Sequence, residues 1–383
     1  MGLIFRKLED KIKELLKFYP VVTIVGPRQS GKTTLCQNLF HEYTYVNLED
    51  ADMREIVMNN PKRFLLSDPA GMVIDEVHNC PGLFSYIQVI ADMKTGRKFI
   101  LTGSSNFSML ENITQSLAGR TAILTLLPLS FAELGDRRNE SADMLMLRGC
   151  YPGMWTNGLS ANTFYKHYYN TYVERDVRKI INIQDVSLFQ RFIRLCAGRI
   201  GCECNASALS GEVGVVANTI IKWFNTLSVT YIVYMLQPYY QNIGKRMVKT
   251  PKIYFYDTGL ACYLLGIENE KQLSTHPLRG AIFENMVVNE AMKSRLNKGK
   301  DANLFFYRDK SQREVDLIYT EADGLRIYEI KSAQRFQKDF FTGIDYLKSL
   351  FGGQITQSAL IYDGEYEISQ AEKGVYNFRN FAL

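Results

Sequence analysis

The sequence predicts an α/β protein of several domains, beginning with a parallel sheet that carries helices on both faces. The chain has 383 residues, more than one compact domain usually contains. In the first 155 residues, β-branched runs alternate with helical patterns, an order that favours a parallel sheet. One predicted strand leads through a glycine-containing turn into a helix, the arrangement that creates an anion site. A mainly helical middle part and an α/β domain at the C-terminal end complete the predicted architecture.

The predicted sheet follows a short amphipathic helix. Leu8, Ile12, Leu15 and Leu16 recur there at helical spacing, so one face of this helix is apolar. The predicted strands span residues 21–25, 43–48, 72–75, 98–102 and 121–127. Ligands of open α/β sheets bind at the carboxyl ends of the strands, so the residues that follow these strands are the candidates for a binding site.

A phosphate-binding loop follows the first predicted strand. Residues 26–33 match the G-x-x-x-x-G-K-[ST] pattern of nucleotide triphosphatases. In such loops the lysine, here Lys32, reaches the β- and γ-phosphates, and the hydroxyl of Thr33 is expected to hold Mg²⁺. The sequence therefore predicts ATP and Mg²⁺ as cofactors, with GTP as an open alternative to ATP. The expected nucleotide contacts are Gly26, Pro27, Arg28, Gln29, Ser30, Gly31, Lys32, Thr33 and Thr34.

Two acids at the end of another predicted strand indicate hydrolysis. Asp75 fits the acid that holds Mg²⁺ through water, and Glu76 points to the other side of the strand end, where it could polarise a water against the γ-phosphate. An ordinary strand that ends in solvated acids is the alternative. The Asp-Glu pair favours a hydrolytic ATPase over a kinase-like protein, which lacks this glutamate.

Further polar residues follow the strand at residues 98–102. Thr102 or Ser104 could sense the γ-phosphate or orient the water, and a plain turn at the strand end is equally compatible with the sequence. Arg120 could contact nucleotide in its own subunit or in a neighbouring one. The alternative for a single arginine is an ordinary surface charge.

Composition limits the remaining function classes. The net charge of +5 does not indicate a polycation, so any contact with nucleic acid must be local. The seven cysteines show no metal-ligand spacing and are expected to be reduced thiols. We expect a cytoplasmic protein without membrane contact, because no apolar run is long enough to span a bilayer and the first residues do not form a signal peptide.

The middle part, residues 156–272, has the pattern of a winged helix-turn-helix. A helical segment at residues 206–215 is followed at once by a helix at 217–227 and then by two strands, 231–236 and 252–256. A basic wing of this kind could contact the phosphates of DNA. The alternatives are a solvated loop and a winged helix that contacts protein. The basic residues near the predicted wing are Lys245, Arg246, Lys249 and Lys252.

A predicted hairpin in the last part of the chain brings two acids together. If Thr320 pairs with Leu325 across the turn, then Asp316 lies opposite Glu329, with Cβ atoms about 5 Å apart. Like charges in this position are destabilising unless they are compensated. A divalent metal held by Asp316 and Glu329, together with the adjacent Lys331, would compensate them.

Glu284 adds a third acid. It lies in a predicted helix, residues 280–292, beside apolar residues at helical spacing, and an acid there is costly unless it is paired or bound to metal. Together with Asp316, Glu329 and Lys331 it forms the residue set of Mg²⁺-dependent nucleases of the restriction-endonuclease type. In such sites the acids hold the ion and the lysine orients the attacking water. The alternative is a solvated hairpin of mixed charge.

The motifs together resemble those of the bacterial and archaeal AAA-type ATPases that carry a C-terminal domain of unknown function 4143. The resemblance covers nearly the whole chain. The motifs that carry it are residues 26–34, 72–76, 101–105, 117–120 and 254–260, Phe283-Glu284, and the hairpin with Glu314-Val315-Asp316 and Glu329-Ile330-Lys331.

The resemblance implies an AAA-type ATPase domain at residues 1–155, a winged-helix domain at 156–272 and a restriction-endonuclease-like domain at 273–383. It implies roles for Lys32, Thr33, Asp75 and Glu76 with ATP and Mg²⁺. It also offers Ser104 as a sensor and Arg120 as an arginine contact. By analogy with ring-forming relatives, a homo-oligomer is expected. The hairpin has Glu-Val-Asp where Pro-Asp is commonest in such nucleases, which leaves the acid of Asp316 in place.

Two functions remain for the whole chain. The leading one is an Mg²⁺-dependent ATPase that acts on DNA through its winged-helix and nuclease-like domains. The alternative is an ATP-driven regulatory switch or scaffold that binds protein partners and has an inactive nuclease-like domain. Stimulation of ATP hydrolysis by DNA is expected only for the first.

Overall fold

The computed structural model describes residues 4–104, 115–177, 185–239 and 250–383, without the side chains of residues 104 and 174–177. The chain divides into two compact units. The N-terminal unit comprises Met1–Leu129 with Leu296–Lys300, and the C-terminal unit comprises Ser130–Arg295 with Asp301–Leu383. The division predicted at residues 155 and 272 stays a prediction. Among the described residues, no helix is both long and apolar enough to cross a membrane.

A five-stranded parallel sheet forms the N-terminal unit, with the strand order β2-β3-β4-β1-β5. The predicted parallel sheet is therefore confirmed. Its strands are β1 Val21–Gly26, β2 Thr44–Asn47, β3 Gly71–Asp75, β4 Lys98–Ser104 and β5 Thr121–Thr125. Its helices are α1 Glu9–Leu15, α2 Lys32–Leu39, α3 Ala51–Asn59, α4 Pro61–Leu65 and α5 Leu83–Asp92.

Helices cover both faces of this sheet because the side chains of a strand alternate between two apolar clusters. Val21 of β1 packs in one buried cluster with Ile87 of α5. Its neighbour Val22 packs in a second buried cluster with Ile12 of α1. The central strands β1 and β3 are buried along their whole length, so the polar groups that can meet a ligand lie at the strand ends.

The C-terminal unit begins with helices, as predicted for the middle part of the chain. They are α6 Phe131–Leu134, α7 Ala142–Arg148, α8 Pro152–Thr156, α9 Ala161–Tyr168, a π-helical segment Tyr169–Val177, α10 Val186–Ala197, α11 Ala206–Val213, α12 Ala217–Val229, α13 Thr258–Leu264, α14 Glu270–Ser274, α15 Arg279–Asn297 and, later, α16 Thr342–Phe351. Helix α16 packs on the sheet described next through Ile344 and Leu347, which share a buried cluster with Ile318 and Ile327.

A mixed sheet of seven strands completes the C-terminal unit, in the order β12-β11-β10-β9-β8-β6-β7. The strands are β6 Val233–Pro238, β7 Lys252–Phe255, β8 Leu304–Arg308, β9 Glu314–Glu321, β10 Gly324–Lys331, β11 Ile355–Tyr362 and β12 Gly374–Asn377. The predicted β6–β7 hairpin is present, and β6 also pairs in parallel with β8 through Gln237 and Pro238. The hairpin is therefore part of the same sheet as the C-terminal strands.

The predicted register of the β9–β10 hairpin is confirmed. Leu325 pairs with Thr320, and the ladder continues to Tyr328 opposite Leu317. The basic cluster near the predicted wing is different from the prediction. Lys252 is only 1% exposed in β7, so its assignment to a solvated basic wing is wrong. The other three basic residues, Lys245, Arg246 and Lys249, lie outside the described residues.

Gly71 at the start of β3 meets a requirement that only glycine satisfies. Its φ is +141°, and a Cβ atom on it would lie 1.9 Å from the carbonyl oxygen of Lys98 in the adjacent strand. The carbonyl is backbone and a Cβ is fixed to its own backbone, so neither can move away without disturbing the pairing of β3 with β4. The position of β3, and of Asp75 at its far end, therefore depends on this glycine.

We expect Gly71→Ala to destabilise the protein by about 2–4 kcal/mol, because it combines backbone strain with a steric clash. The midpoint of urea denaturation measures this. Gly96→Ala is the matched control, since Gly96 also has a positive φ of +84° but a Cβ there would meet nothing within 4 Å. Equal losses in the two variants would contradict the steric argument.

Candidate functional site

The loop between β1 and α2 has the conformation that its glycines permit. Gly31 precedes α2 with a left-handed φ of 95°, and Gln29 has a φ of 62°. Arg6 fixes the loop from outside, because its guanidinium donates to the carbonyls of Ser30 and Leu127, each at 2.6 Å. Arg6 precedes the predicted motif by twenty positions and has no local pattern, so the sequence does not identify it as part of the site.

Lys32 folds back onto this loop. Its Nζ donates to the carbonyl oxygens of Gly26 at 3.0 Å and Pro27 at 2.8 Å. Burial lowers the pKa of Lys32 below its ordinary value, although Glu76 and Asp75 act in the opposite direction. The buried hydroxyl of Ser30 has no hydrogen-bond partner among the described residues. Both features suit a loop that gains phosphate oxygens as hydrogen-bond partners when nucleotide binds.

Asp75 is the centre of the polar groups at the end of β3. Its Oδ2 accepts hydrogen bonds from the hydroxyls of Thr33 and Tyr45, each at 2.7 Å. Its Oδ1 accepts one from the hydroxyl of Thr102. Thr33 and Asp75 are thus adjacent, and a hydroxyl beside a carboxylate is the oxygen donor set that suits Mg²⁺. The residues present therefore fit the magnesium ion that the sequence predicts.

Tyr45 was not predicted as part of this site. It lies in β2, which neighbours β3 in the sheet, so only the strand order brings it to Asp75. Burial and the hydrogen bond to Asp75 raise the pKa of Tyr45 well above its ordinary value. The tyrosine hydroxyl is therefore a donor over the whole physiological pH range.

Glu76 leaves the strand in a left-handed conformation, with φ 52° and ψ 45°. Its backbone nitrogen donates to the Thr102 hydroxyl at 3.4 Å. Its Oε2 lies 3.1 Å from Nδ1 of His78, and both side chains are mostly buried. His78 is a second residue of the site that the sequence does not predict. Its spacing of two residues from Glu76 would have been a weak signal.

Ser104 and Arg120 lie at opposite ends of the strands, Ser104 at the carboxyl ends and Arg120 at the amino ends. The strand register places Ser104 beside Gly26, at the start of the phosphate loop, while its side chain is outside the described part of the structure. Arg120 precedes β5 at the amino ends of the strands, about 20 Å along the strands from the loop. Its guanidinium binds Asp92 at 2.6 and 2.9 Å on the surface. The structure therefore does not bring Arg120 to the loop of its own subunit.

The C-terminal unit contains the second predicted site, and the structure brings all of its residues together. Asp316 Oδ2 accepts a hydrogen bond from the backbone nitrogen of Ile330 at 2.8 Å. Lys331 Nζ lies 2.6 Å from Glu329 Oε1 and 3.6 Å from Asp316 Oδ2. Burial and the charge of Asp316 raise the pKa of Glu329 to about 8.

Two residues of this site were not predicted as members. Glu314 joins Glu284 and Asp316, and one carboxylate oxygen from each lies within 4.8 Å of the others. Lys252 Nζ lies between two of these acids, 2.9 Å from Glu284 Oε1 and also in an ion pair with Glu314. We call Glu284, Glu314, Asp316 and Glu329 the acidic cluster. The carboxylates are suitable metal donors, but a lysine ammonium already lies among them.

The phosphate loop, its parallel sheet and the Asp-Glu pair at the end of β3 define the N-terminal unit as a P-loop nucleotide triphosphatase fold. Family comparisons agree with this. Residues 19–135 match the family described as AAA domain, 139–271 match domain of unknown function 8612, and 279–381 match domain of unknown function 4143. The predicted combination of an AAA domain with a C-terminal domain 4143 is confirmed.

Several proteins are similar to this chain. Uncharacterized protein Rv2008c of Mycobacterium tuberculosis is 28% identical over 368 residues, which cover 94% of this chain and 80% of the relative. Uncharacterized protein MJ1544 of Methanocaldococcus jannaschii is 22% identical over 334 residues, covering 79% and 72%. Among solved structures, the Walker-type ATPase PABY2304 of Pyrococcus abyssi covers 68% of this chain and 96% of its own, with 13% identity and a TM-score of 0.47. AMPPCP-bound DnaA of Aquifex aeolicus covers 60% and 89%, with 11% identity and a TM-score of 0.29.

Tyr45→Phe removes one of the three hydroxyls bound to Asp75 and keeps the ring. Because partners of ligating carboxylates contribute about 10–100-fold to metal affinity, we expect the Mg²⁺ concentration for half-maximal ATP hydrolysis to rise about tenfold. A Mg²⁺ titration at saturating ATP measures it. Tyr43→Phe is the control, since Tyr43 stacks on Phe40 at 5.4 Å and its loss of a hydroxyl leaves Asp75 untouched. An equal rise in both variants would contradict a specific role for Tyr45.

Proposed function

We propose that this protein hydrolyses ATP in an Mg²⁺-dependent reaction at the end of β1 and β3. The observation that carries the proposal is the contact of Thr33 with Asp75 at 2.7 Å, directly beside Glu76 and the phosphate loop. Thr33 and Asp75 would hold the ion, which when bound neutralises charge on the β- and γ-phosphates. The AAA domain match over residues 19–135 supports the same reaction.

Each residue of the site has a distinct role in this proposal. Lys32 exchanges its hydrogen bonds to the Gly26 and Pro27 carbonyls for bonds to the β- and γ-phosphates. Glu76 accepts a proton from the attacking water or orients it, as a general base placed beside the γ-phosphate. His78, 3.1 Å from Glu76, positions this carboxylate. Ser104, next to Gly26 in the register, is retained as the proposed sensor of the γ-phosphate.

Glu76→Gln tests the reaction most directly. Removing a general base costs about 100-fold or more in rate, so turnover should fall by that factor while ATP binding persists. Lys32→Ala should instead weaken ATP binding itself. Phosphate release and binding of a fluorescent ATP analogue measure the two effects. Glu55→Gln is the matched control, because Glu55 is exposed on α3 of the same unit. Undiminished turnover in Glu76→Gln would contradict this assignment.

We also propose that ATP hydrolysis is coupled to DNA through the middle part of the chain. The observation that favours this is the order of α11, a turn at Gly214 with φ 90°, α12 and the β6–β7 hairpin, which is the order of a winged helix-turn-helix. The surface of α12 exposes Asn218, Lys222 and Asn225, side chains that can contact phosphates and base edges. The regulatory switch that binds a protein partner remains the alternative.

Added duplex or branched DNA is expected to stimulate ATP hydrolysis, and Lys222→Glu is expected to reduce this stimulation several-fold by placing an acid against phosphate. ATP turnover measured with and without DNA at two salt concentrations checks the expectation. Lys271→Glu is the charge-matched control, since Lys271 is exposed on α14 of the same unit. Turnover that ignores every DNA would favour the protein-regulated switch and leave the ATPase proposal intact.

A homo-oligomer is part of the same proposal. Because Arg120 lies at the amino ends of the strands, away from the loop of its own subunit, only a neighbouring subunit offers it a nucleotide. Its surface ion pair with Asp92 would have to open for this contact. Exposed ion pairs are weak because water screens the charges, so this pair opens at little cost.

A further inference from the structure

We propose that the acidic cluster of the C-terminal unit binds lysine ammonium groups in place of a divalent metal ion, with Lys252 as the residue that excludes the metal. The residue set resembles a magnesium site, yet its surroundings do not fit one. The inference concerns the C-terminal unit alone, so it does not depend on ATP hydrolysis in the N-terminal unit.

Lys252 occupies the cation position of the cluster. Its Nζ lies 2.9 Å from Glu284 Oε1 and forms a second ion pair with Glu314. The side chain is 2% exposed, and its ammonium lies 5.2 Å from the centre of the Phe306 ring. A buried ammonium with two carboxylate partners and an aromatic neighbour cannot leave for water without a large loss of interaction energy.

The strand that carries Lys252 also supplies a second donor. Tyr254, two residues further along β7 and on the same face, donates its hydroxyl to the same Glu284 oxygen. Glu284 Oε1 thus has two donors from one strand. A metal ion would need this oxygen at about 2.1 Å, and both donors would have to withdraw from it.

Lys331 fills the corresponding position at the other end of the cluster. Its Nζ is bound to Glu329 at 2.6 Å and lies 3.6 Å from Asp316, whose Oδ2 also accepts the backbone N–H of Ile330. Lys252 therefore serves Glu284 and Glu314, and Lys331 serves Glu329 and Asp316.

The charges of the cluster are also nearly balanced without metal. Arg308 adds a third cation, with its Nε 3.4 Å from Glu314 Oε2. Each of the four acids has a lysine partner, so a metal ion would have to displace an ammonium group from the carboxylates that it binds. Metal and Lys252 thus compete for one position, and the lysine, being covalently attached, is always present.

Removing Lys252 should convert the cluster into a metal site. In an Asp75→Asn background without nucleotide, which removes the expected metal ligand of the N-terminal unit, we expect no saturable Mn²⁺ binding. Lys252→Met in the same full-length background should gain a saturable Mn²⁺ site. Addition of Glu284→Gln should abolish it again. Electron paramagnetic resonance of free Mn²⁺ and calorimetric titration measure binding, and thermal melting with and without Mn²⁺ gives a second readout.

Lys293→Met is the matched control for losing a buried lysine. Lys293 is 3% exposed and pairs with Glu290 at 2.7 Å in the same unit. Both substitutions should lower the melting temperature, because each removes a buried lysine that is paired with carboxylate. Only Lys252→Met should regain stability with Mn²⁺. If Lys252→Met is not obtained folded, Lys252→Gln removes the charge while keeping a hydrogen-bond donor, and the same gain is expected.

Two results would overturn the proposal. One is saturable Mn²⁺ binding by the Asp75→Asn protein that disappears with Glu284→Gln or Asp316→Asn, since the cluster would then bind metal in the presence of Lys252. The other is a folded Lys252→Met or Lys252→Gln protein without any gain of Mn²⁺ binding. Either outcome leaves the ATPase proposal unaffected.

Discussion

A charged group removed from water must have a partner inside the protein, and this requirement organises both units of the structure. In the N-terminal unit, the carboxylate of Asp75 is satisfied by three hydroxyls that arrive from the loop and from two neighbouring strands. In the C-terminal unit, buried carboxylates are satisfied by lysines. Hydroxyls can yield to a metal ion at little cost, whereas a paired buried ammonium cannot. The two acidic sites of this chain therefore differ in their capacity to accept a metal ion.

The phosphate loop is held by hydrogen bonds from two basic side chains to backbone carbonyls. Lys32 donates hydrogen bonds to carbonyls of its own loop. Arg6 connects the loop to the segment just after β5 through the carbonyl of Leu127. Phosphate would replace the neutral carbonyl partners of Lys32 by anionic oxygens, which attract the ammonium more strongly. The exchange gives nucleotide a favourable contact without the cost of first exposing a buried lysine.

The sequence was sufficient for features that are local in the chain. The phosphate loop, the Asp75-Glu76 pair and the β9–β10 register each depend on residues close in sequence, and the sheet and hairpin are found as predicted. Tyr45 and Lys252 could not be identified in this way, because their roles depend on which strands become neighbours. Lys252 was grouped with nearby basic residues, yet strand pairing with Leu236 places it in the interior.

The seven-stranded sheet is built from two segments of the chain that match different families. Strands β6 and β7 fall within the segment matched to domain of unknown function 8612. Strands β8 to β12 fall within the segment matched to domain of unknown function 4143. Separating the two segments would expose the edge of β8 and leave Glu284 and Glu314 without their lysine. In this chain the two matched segments thus share one sheet and the ion pairs of its interior. A gene rearrangement that transferred one segment without the other would produce an incomplete sheet.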